Sequence, residues 1–369
     1  MSEGVDKMMT FPPKQAAPAE AAVPHPTDAA ASVGASTGVN TGVNATVSAP
    51  ATPPPSGISN RAHIIAIGGA KGGIGKSLLA ANLAVYLAAR GQRTILLDLD
   101  LGGANLHLFL GIWSLERKVD DFLQKRFGSL EDLLLPTKYG PLLIGGGGGS
   151  LGAANIHHAR KLKLLRAIKK LGADYVIIDL GGDTSFNMLD FYLAADTGVV
   201  MTTMDPASYL DAYNFIKVGL LRRLSRIFAP ESPYRLEKDT RLTGLVDSFV
   251  KEVGSGKRVD DLMETVAAEH PQGLPLLKRI IGDYRPRAVI NMPTGVGEVE
   301  ALAERLIKVS TRMLSIEIDY LGQLAFDETI HQSTQSLVPH VARYPEGTLA
   351  QYCRLLSAAI DPLPAVVAA

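Results

Sequence analysis

From Ala62 onward the chain alternates short, solidly apolar runs with helix-length stretches in which apolar residues return every three or four positions. Runs that are apolar throughout, rather than at every second residue, mark strands covered on both faces, as in a parallel sheet between two helical layers. The pattern predicts strands at 64–67, 94–97, 142–144, 175–179, 199–202, 288–291 and 318–324, with helices at 76–90, 157–171, 206–228, 298–313 and 347–360. An α/β chain with a doubly wound, mostly parallel sheet follows. Residues 230–285 break the rhythm: polar and charged, they predict helices near 259–269 and 274–281 and no strand, and so read as a helical insert. Residues 1–60 are dominated by Ala, Pro, Ser, Thr, Gly and Val, with too few large apolar side chains to offset the entropy of ordering. A disordered tail is expected there, ahead of one domain over 61–362.

Composition narrows the chemistry more than the fold. With 369 residues, 46% of them hydrophobic, a large core can form even without the tail. Lys plus Arg balances Asp plus Glu at 37 each, so no net charge draws the chain to nucleic acid or to a membrane, and such binding would need a local patch. One candidate patch is Arg160, Lys161, Lys163, Arg166, Lys169 and Lys170, suited to phosphate-rich or acidic partners. Cys353 is the only cysteine, which excludes an intrachain disulfide and any cysteine-rich zinc or iron–sulfur site within one chain. His157-His158 lacks a third ligand at metal-site spacing. The start shows no basic n-region followed by an apolar h-region, and no uncharged apolar run reaches about 18 residues, so a cytoplasmic protein is expected.

The first predicted strand runs into Gly68-Gly69-Ala70-Lys71-Gly72-Gly73-Ile74-Gly75-Lys76-Ser77 and then into a helical stretch, the context a phosphate loop requires. Glycines let backbone N–H groups turn inward around phosphates, and the helix N-terminus adds partial positive charge. Lys76 would reach the terminal phosphates and the Ser77 hydroxyl would ligate Mg²⁺. Ala70 stands where the first glycine usually does, a tolerable small residue. Tyr175-Val176-Ile177-Ile178-Asp179 is an apolar strand ending in an acid, the shape of a Walker B motif, so Asp179 is expected to hold a Mg²⁺-bound water. Alternation along the second strand sets Asp98 and Asp100 on one face at the carboxyl edge of the sheet, where open α/β folds bind ligands.

Lys71-Gly72-Gly73-Ile74-Gly75-Lys76-Ser77 resembles the deviant Walker A motif of ParA/MinD ATPases, a SIMIBI-like group of P-loop NTPases. The resemblance implies an ATP- and Mg²⁺-dependent homodimer in which Lys71 crosses to the partner's phosphates. Asp98-Leu99-Asp100 with Asn105-Leu106 is similar to the family's switch I, which implies that Asp100 orients the attacking water and Asp98 supports the Mg²⁺ shell. Gly181-Gly182-Asp183 stands at switch II, with Asp183 in place of the usual glycine. Asn291 matches the asparagine that reads the adenine edge in relatives, and Phe326-Asp327 falls at the other base contacts. The catalytic set is therefore Lys71, Lys76 and Asp100. The nucleotide-binding set is Gly72, Gly73, Ile74, Gly75, Lys76, Ser77, Leu78 and Asn291, and the metal set is Ser77, Asp98 and Asp179.

Within the family, cluster-carrying members are excluded by the missing cysteines. The segment 203–217 and the block from Asp319-Tyr320-Leu321-Gly322 to Tyr344-Pro345 look like the FlhG/FleN flagellar-number regulators. That resemblance implies a slow, partner-stimulated ATPase acting with the flagellar or another positioning machinery, at times at the membrane or pole. No basic amphipathic helix closes the chain, which argues against stable membrane anchoring. A ParA-like DNA-binding carrier and a non-hydrolysing nucleotide-bound scaffold are the other classes that fit the motifs.

Overall fold

The computed structural model describes residues 61–69, 71–100, 103–147, 157–252, 256–293 and 296–360. The expectations for residues 1–60 and for 361–369 lie outside them. In chain order the elements are β1 (His63–Gly68), α1 (Lys76–Ala89), β2 (Thr94–Leu99), α2 (Val119–Leu123), β3 (Leu135–Pro136), β4 (Leu142–Ile144), α3 (His158–Ile168), β5 (Tyr175–Leu180), α4 (Phe186–Ala194) and β6 (Thr197–Thr203). There follow α5 (Pro206–Ser225), α6 (Thr240–Glu252), α7 (Val259–Glu269), α8 (Leu274–Gly282), β7 (Arg287–Asn291), α9 (Val296–Leu314), β8 (Asp319–Leu324), α10 (Glu328–Gln335), α11 (His340–Arg343) and α12 (Thr348–Ile360).

The strands form one sheet in the order β3-β4-β2-β5-β1-β6-β7-β8, parallel throughout except for the β3–β4 pair. β1, β2 and β5 lie at its centre and are buried almost end to end, which is why their sequences are apolar without alternation. α1 carries buried residues on nearly every side, from Leu79 through Leu87, because it is sandwiched between the sheet and α12. Its alanines let neighbours approach closely. Asn82, buried in α1, donates to Leu78 O at 2.8 Å and accepts from Val341 N at 3.0 Å, tying the helix behind the glycine loop to α11.

The helical insert consists of α6, α7 and α8, with no strand among its described residues. Asp239 starts α6 by accepting from Leu242 N at 2.9 Å, and its other oxygen meets His270 Nε2 at 2.6 Å. Arg223 on α5 donates to Ile280 O at 3.0 Å and Tyr284 OH to Ile216 O at 3.0 Å, so the insert is stitched to α5 by buried or half-buried polar contacts. Arginines at the C-terminal end of α5 also act as bridges: Arg222 chelates Asp190, and Arg226 pairs with Glu231.

The basic stretch near residue 160 also divides. Lys161 is buried against Asp190. Arg160, Lys163, Arg166 and Lys170 stay exposed, with Lys163 over the Phe122 ring at 4.0 Å.

Candidate functional site

The glycine loop links β1 to α1 at the carboxyl edge of the sheet. Gly73 and Gly75 take the left-handed conformation at φ 76° and 95°. No atom lies within 4 Å of a Cβ placed at Gly72 or Gly73, so this arc faces open space, as a phosphate cradle must. Gly75 differs, because a Cβ there would stand 2.4 Å from Asn291 Nδ2. That close approach lets Asn291 donate to Ile74 O at 2.9 Å, while its own oxygen accepts from Met292 N at 2.9 Å. Asn291 is thus engaged beneath the loop and braces it. Asp327 is similarly committed: its carboxylate takes Thr329 N at 2.8 Å, Thr329 Oγ1 at 2.5 Å and Thr348 Oγ1 at 2.8 Å, starting α10 and pinning α12. Phe326 and Met292 are exposed at the ends of β8 and β7.

Below the loop the register of β2 on β5 sets Asp98 opposite Asp179. Both are buried, at 1% exposure each. Asp98 accepts from Asp100 N at 3.0 Å and Leu106 N at 3.2 Å, so it staples the segment that follows β2. Burial nonetheless carries its carboxyl up to about 7, against the pull of those amides. Asp179 accepts from Ser77, and burial followed by the neighbouring Asp98 charge lifts it to about 8. Its Oδ1 has no hydrogen-bond partner among the described residues. An orphaned oxygen, two buried acids lifted by burial and an adjacent hydroxyl form a hard, oxygen-only donor set, which fits Mg²⁺. Lys76 acts on Asp179 through its charge and makes its hydrogen bond elsewhere. Its ammonium, buried and with its pKa lowered by that burial, donates to Lys71 O at 2.8 Å.

The switch segments close on the loop. A Cβ at Gly182 would lie 2.8 Å from Gly72 N and 2.9 Å from the Lys71 carbonyl carbon, so only glycine permits this packing. Asp183, in the position read as a replaced glycine, is exposed and accepts from Ser185 N at 2.8 Å, shaping the entry to α4. Asp100 accepts from Gly103 N at 3.0 Å and lies 3.1 Å from a Cβ placed on Gly181, beside switch II. The described glycines of the 145–149 run are explained by crowding, since a Cβ at 145, 146 or 147 would strike Leu115, Ala104 and Asp98, or Asp120.

Lys71, Lys76, Ser77, Asp98, Asp100 and Asp179 are therefore brought together at one edge, on and below the glycine loop. Sequence reasoning gave no role to Asp205, which is ion-paired with Lys71. Its signal was the Asp-Pro pair that opens a helix. His107 is half-buried, and no group of three or more metal-ligating side chains involves His157 or His158 among the described residues. No helix there is long and apolar enough to cross a membrane.

The sequence pattern of the CobQ/CobB/MinD/ParA nucleotide binding domain matches residues 65–333. The chain belongs to this family. Among relatives of this nucleotide-binding domain, the antiactivator FleN of Pseudomonas aeruginosa is 24% identical over 313 residues, covering 84% of this chain and 90% of the relative. The flagellum site-determining protein YlxH of Helicobacter pylori is 31% identical over 159 residues, 42% of this chain and 53% of the relative. The septum site-determining protein MinD of Pyrococcus horikoshii, solved with Mg-ADP, superposes with a TM-score of 0.52 at 20% identity over 82% of this chain and 97% of its own. At that identity the likeness is one of fold: an α/β P-loop domain with a mostly parallel sheet.

Proposed function

We propose that this chain is an ATP-driven dimerising switch of the ParA/MinD type that hydrolyses ATP slowly and controls flagellar number or placement. The observation that carries the reading is the buried pair Asp98 and Asp179, lifted by burial beneath an open glycine loop that bears both Lys71 and Lys76. In this reading the amides of Gly72 through Leu78 and the Lys76 ammonium hold the phosphates, and Asp100 orients the attacking water. Ser77 and Asp179 hold Mg²⁺, with Asp98 behind them fixing switch I. Bound Mg²⁺ would supply charge neutralisation across the terminal phosphates. Gly182, packed on the Lys71–Gly72 peptide, reports whether a terminal phosphate is present, and Asn291 keeps the loop in shape. Lys71 acts in a second copy.

Support for the flagellar assignment comes from the near full-length likeness to an antiactivator named FleN and the partial likeness to a flagellum site-determining protein. The Mg-ADP complex of a MinD of the same fold supports the choice of nucleotide and metal. The experiment is sedimentation velocity together with phosphate release, with Mg-ATP and with Mg-ADP, on wild type and Lys71→Ala. Dimer only with ATP, and turnover lost in Lys71→Ala, is the expected result. Turnover no higher than in Lys76→Ala would favour a non-hydrolysing scaffold, and salt-sensitive, ATP-dependent retention on random DNA would favour a partition carrier.

A further inference from the structure

The nucleotide site makes no use of the outer face of α3. Lys161, Leu164, Leu165 and Ile168 bury the inner face, with Lys161 held by Asp190. Arg160, Lys163, Arg166 and Lys170, at spacings of three and four, fall within about a third of the helix circumference, and all are exposed. None of the four is in an ion pair among the described residues, and Lys163 lies over the Phe122 ring at 4.0 Å. The helix dipole does not explain this stripe. Arg166 and Lys170 suit the C-terminal end, but Arg160 stands in the first turn, where a cation is disfavoured. Like charges three and four apart also repel along a helix, a cost that the chain leaves standing.

Beside the stripe lies a cavity of about 380 Å³. Lys163, Arg166 and Lys170 give it three cations, Phe122, Leu130 and Ala167 give it apolar lining, and Glu131 stands among them as an acid. We propose that this groove docks an acidic amphipathic helix of a protein partner, its carboxylates on the α3 stripe and its apolar side chains on Phe122, Leu130 and Ala167. The period sets the shape of the partner, since a helix repeats its carboxylates at the same spacing of three and four residues. The mixed lining sets the chemistry. A nucleic-acid backbone is charged at every unit, so it would leave the apolar lining unmatched and meet Glu131 as a like charge. A bilayer surface is too flat to enter a cavity. On a chain with no net charge, the local excess of cations also steers an acidic partner to this face. The position suits regulation: α2, which bears Phe122, follows switch I, and α3 is clasped through Asp190 to α4, which follows switch II.

Fluorescence anisotropy on the full chain tests this, with a labelled helical peptide carrying Glu at every third or fourth position and Leu between, and the same peptide with Gln for Glu. Wild type should bind the Glu peptide and lose affinity as salt rises. Arg166→Glu and Lys170→Glu should each weaken binding about three- to ten-fold, and both together with Lys163→Glu roughly a hundred-fold. Lys278→Glu, the same charge change on an exposed position of α8, should stay within about two-fold of wild type. Carbodiimide coupling followed by mass spectrometry should join peptide carboxylates to Lys163 or Lys170. Binding should persist in Lys76→Ala, so failure of the ATP-switch reading would leave this result standing. Equal binding of the Gln peptide, equal losses in Arg166→Glu and Lys278→Glu, or no binding at low salt overturns the proposal. Tighter, Arg166-dependent binding of random-sequence duplex DNA or of phosphatidylglycerol vesicles also overturns it, and would make the stripe a phosphate-binding surface.

Discussion

Two buried acids, one in a covering helix and one near the end of a central strand, meet opposite fates. Asp190 on α4 is clasped by Arg222, at 2.8 Å to each oxygen, and by Lys161. Burial alone would raise its pKa, but Arg222 and Lys161 outweigh burial and hold it below the usual range. Asp179 on β5 has no such clasp, and burial carries it up to about 8. The first arrangement is complete within the chain and fixes α3, α4 and α5 to one another. The second is missing a cation, and that shortfall is what a ligand site requires.

Breaking the complete cluster should have the largest effect. Asp190→Ala strands two buried cations and should cost about 3–5 kcal/mol of stability in urea unfolding, whereas Lys161→Met, which leaves the Arg222 chelate, should cost far less. The incomplete cluster should respond in the opposite direction. Asp179 has a folded pKa above its unfolded value, so the native state keeps a proton the unfolded chain has released, and stability falls as pH rises from about 4 through 8. Asp179→Asn should therefore stabilise the nucleotide-free protein by about 2 kcal/mol at pH 8, shrinking towards pH 4, while losing Mg-dependent phosphate release. Asp190 carries the reverse sign, contributing stability above the usual carboxylate range and losing it as pH falls.

The comparison also marks what sequence alone could reveal. Asp98, Asp179, Lys76 and Ser77 were legible because each sits in its own local pattern, a strand end or a strand–loop–helix junction, and the parallel strands were legible because burial on both faces leaves solid apolar runs. Asp190 and α4 were not. Phe186–Ala194 is nine residues long with Met188 through Tyr192 all buried, so it shows no helical period. β3 is two exposed residues ending in proline, below any pattern's reach. α10 is polar and owes its start to Asp327, and α6 lay inside a stretch recognised as helical only farther along. The contacts of Asn291 with Ile74 and of Asp205 with Lys71 span 217 and 134 residues, so no local spacing encodes them.

Smaller effects sharpen the account of the loop. Gly182→Ala puts a methyl group against the Lys71–Gly72 backbone and should lower turnover about ten-fold or more with nucleotide affinity nearly kept, as read from separate kcat and binding measurements. Asn291→Ala removes the brace under Ile74 and should cost about 1 kcal/mol in thermal unfolding, with a matching modest loss of nucleotide affinity.

The most direct test is calorimetric titration of the wild-type chain with Mg-ADP at pH 7.5, in two buffers of different ionisation enthalpy. Acids lifted to about 7 and about 8 must give up protons when a cation arrives, so binding should release a sizeable fraction of a proton, and the release should vanish in Asp179→Asn. Binding heats that are independent of buffer, or no binding at all, would contradict the claim that the Asp98–Asp179 pair is the unfilled half of a magnesium–nucleotide site.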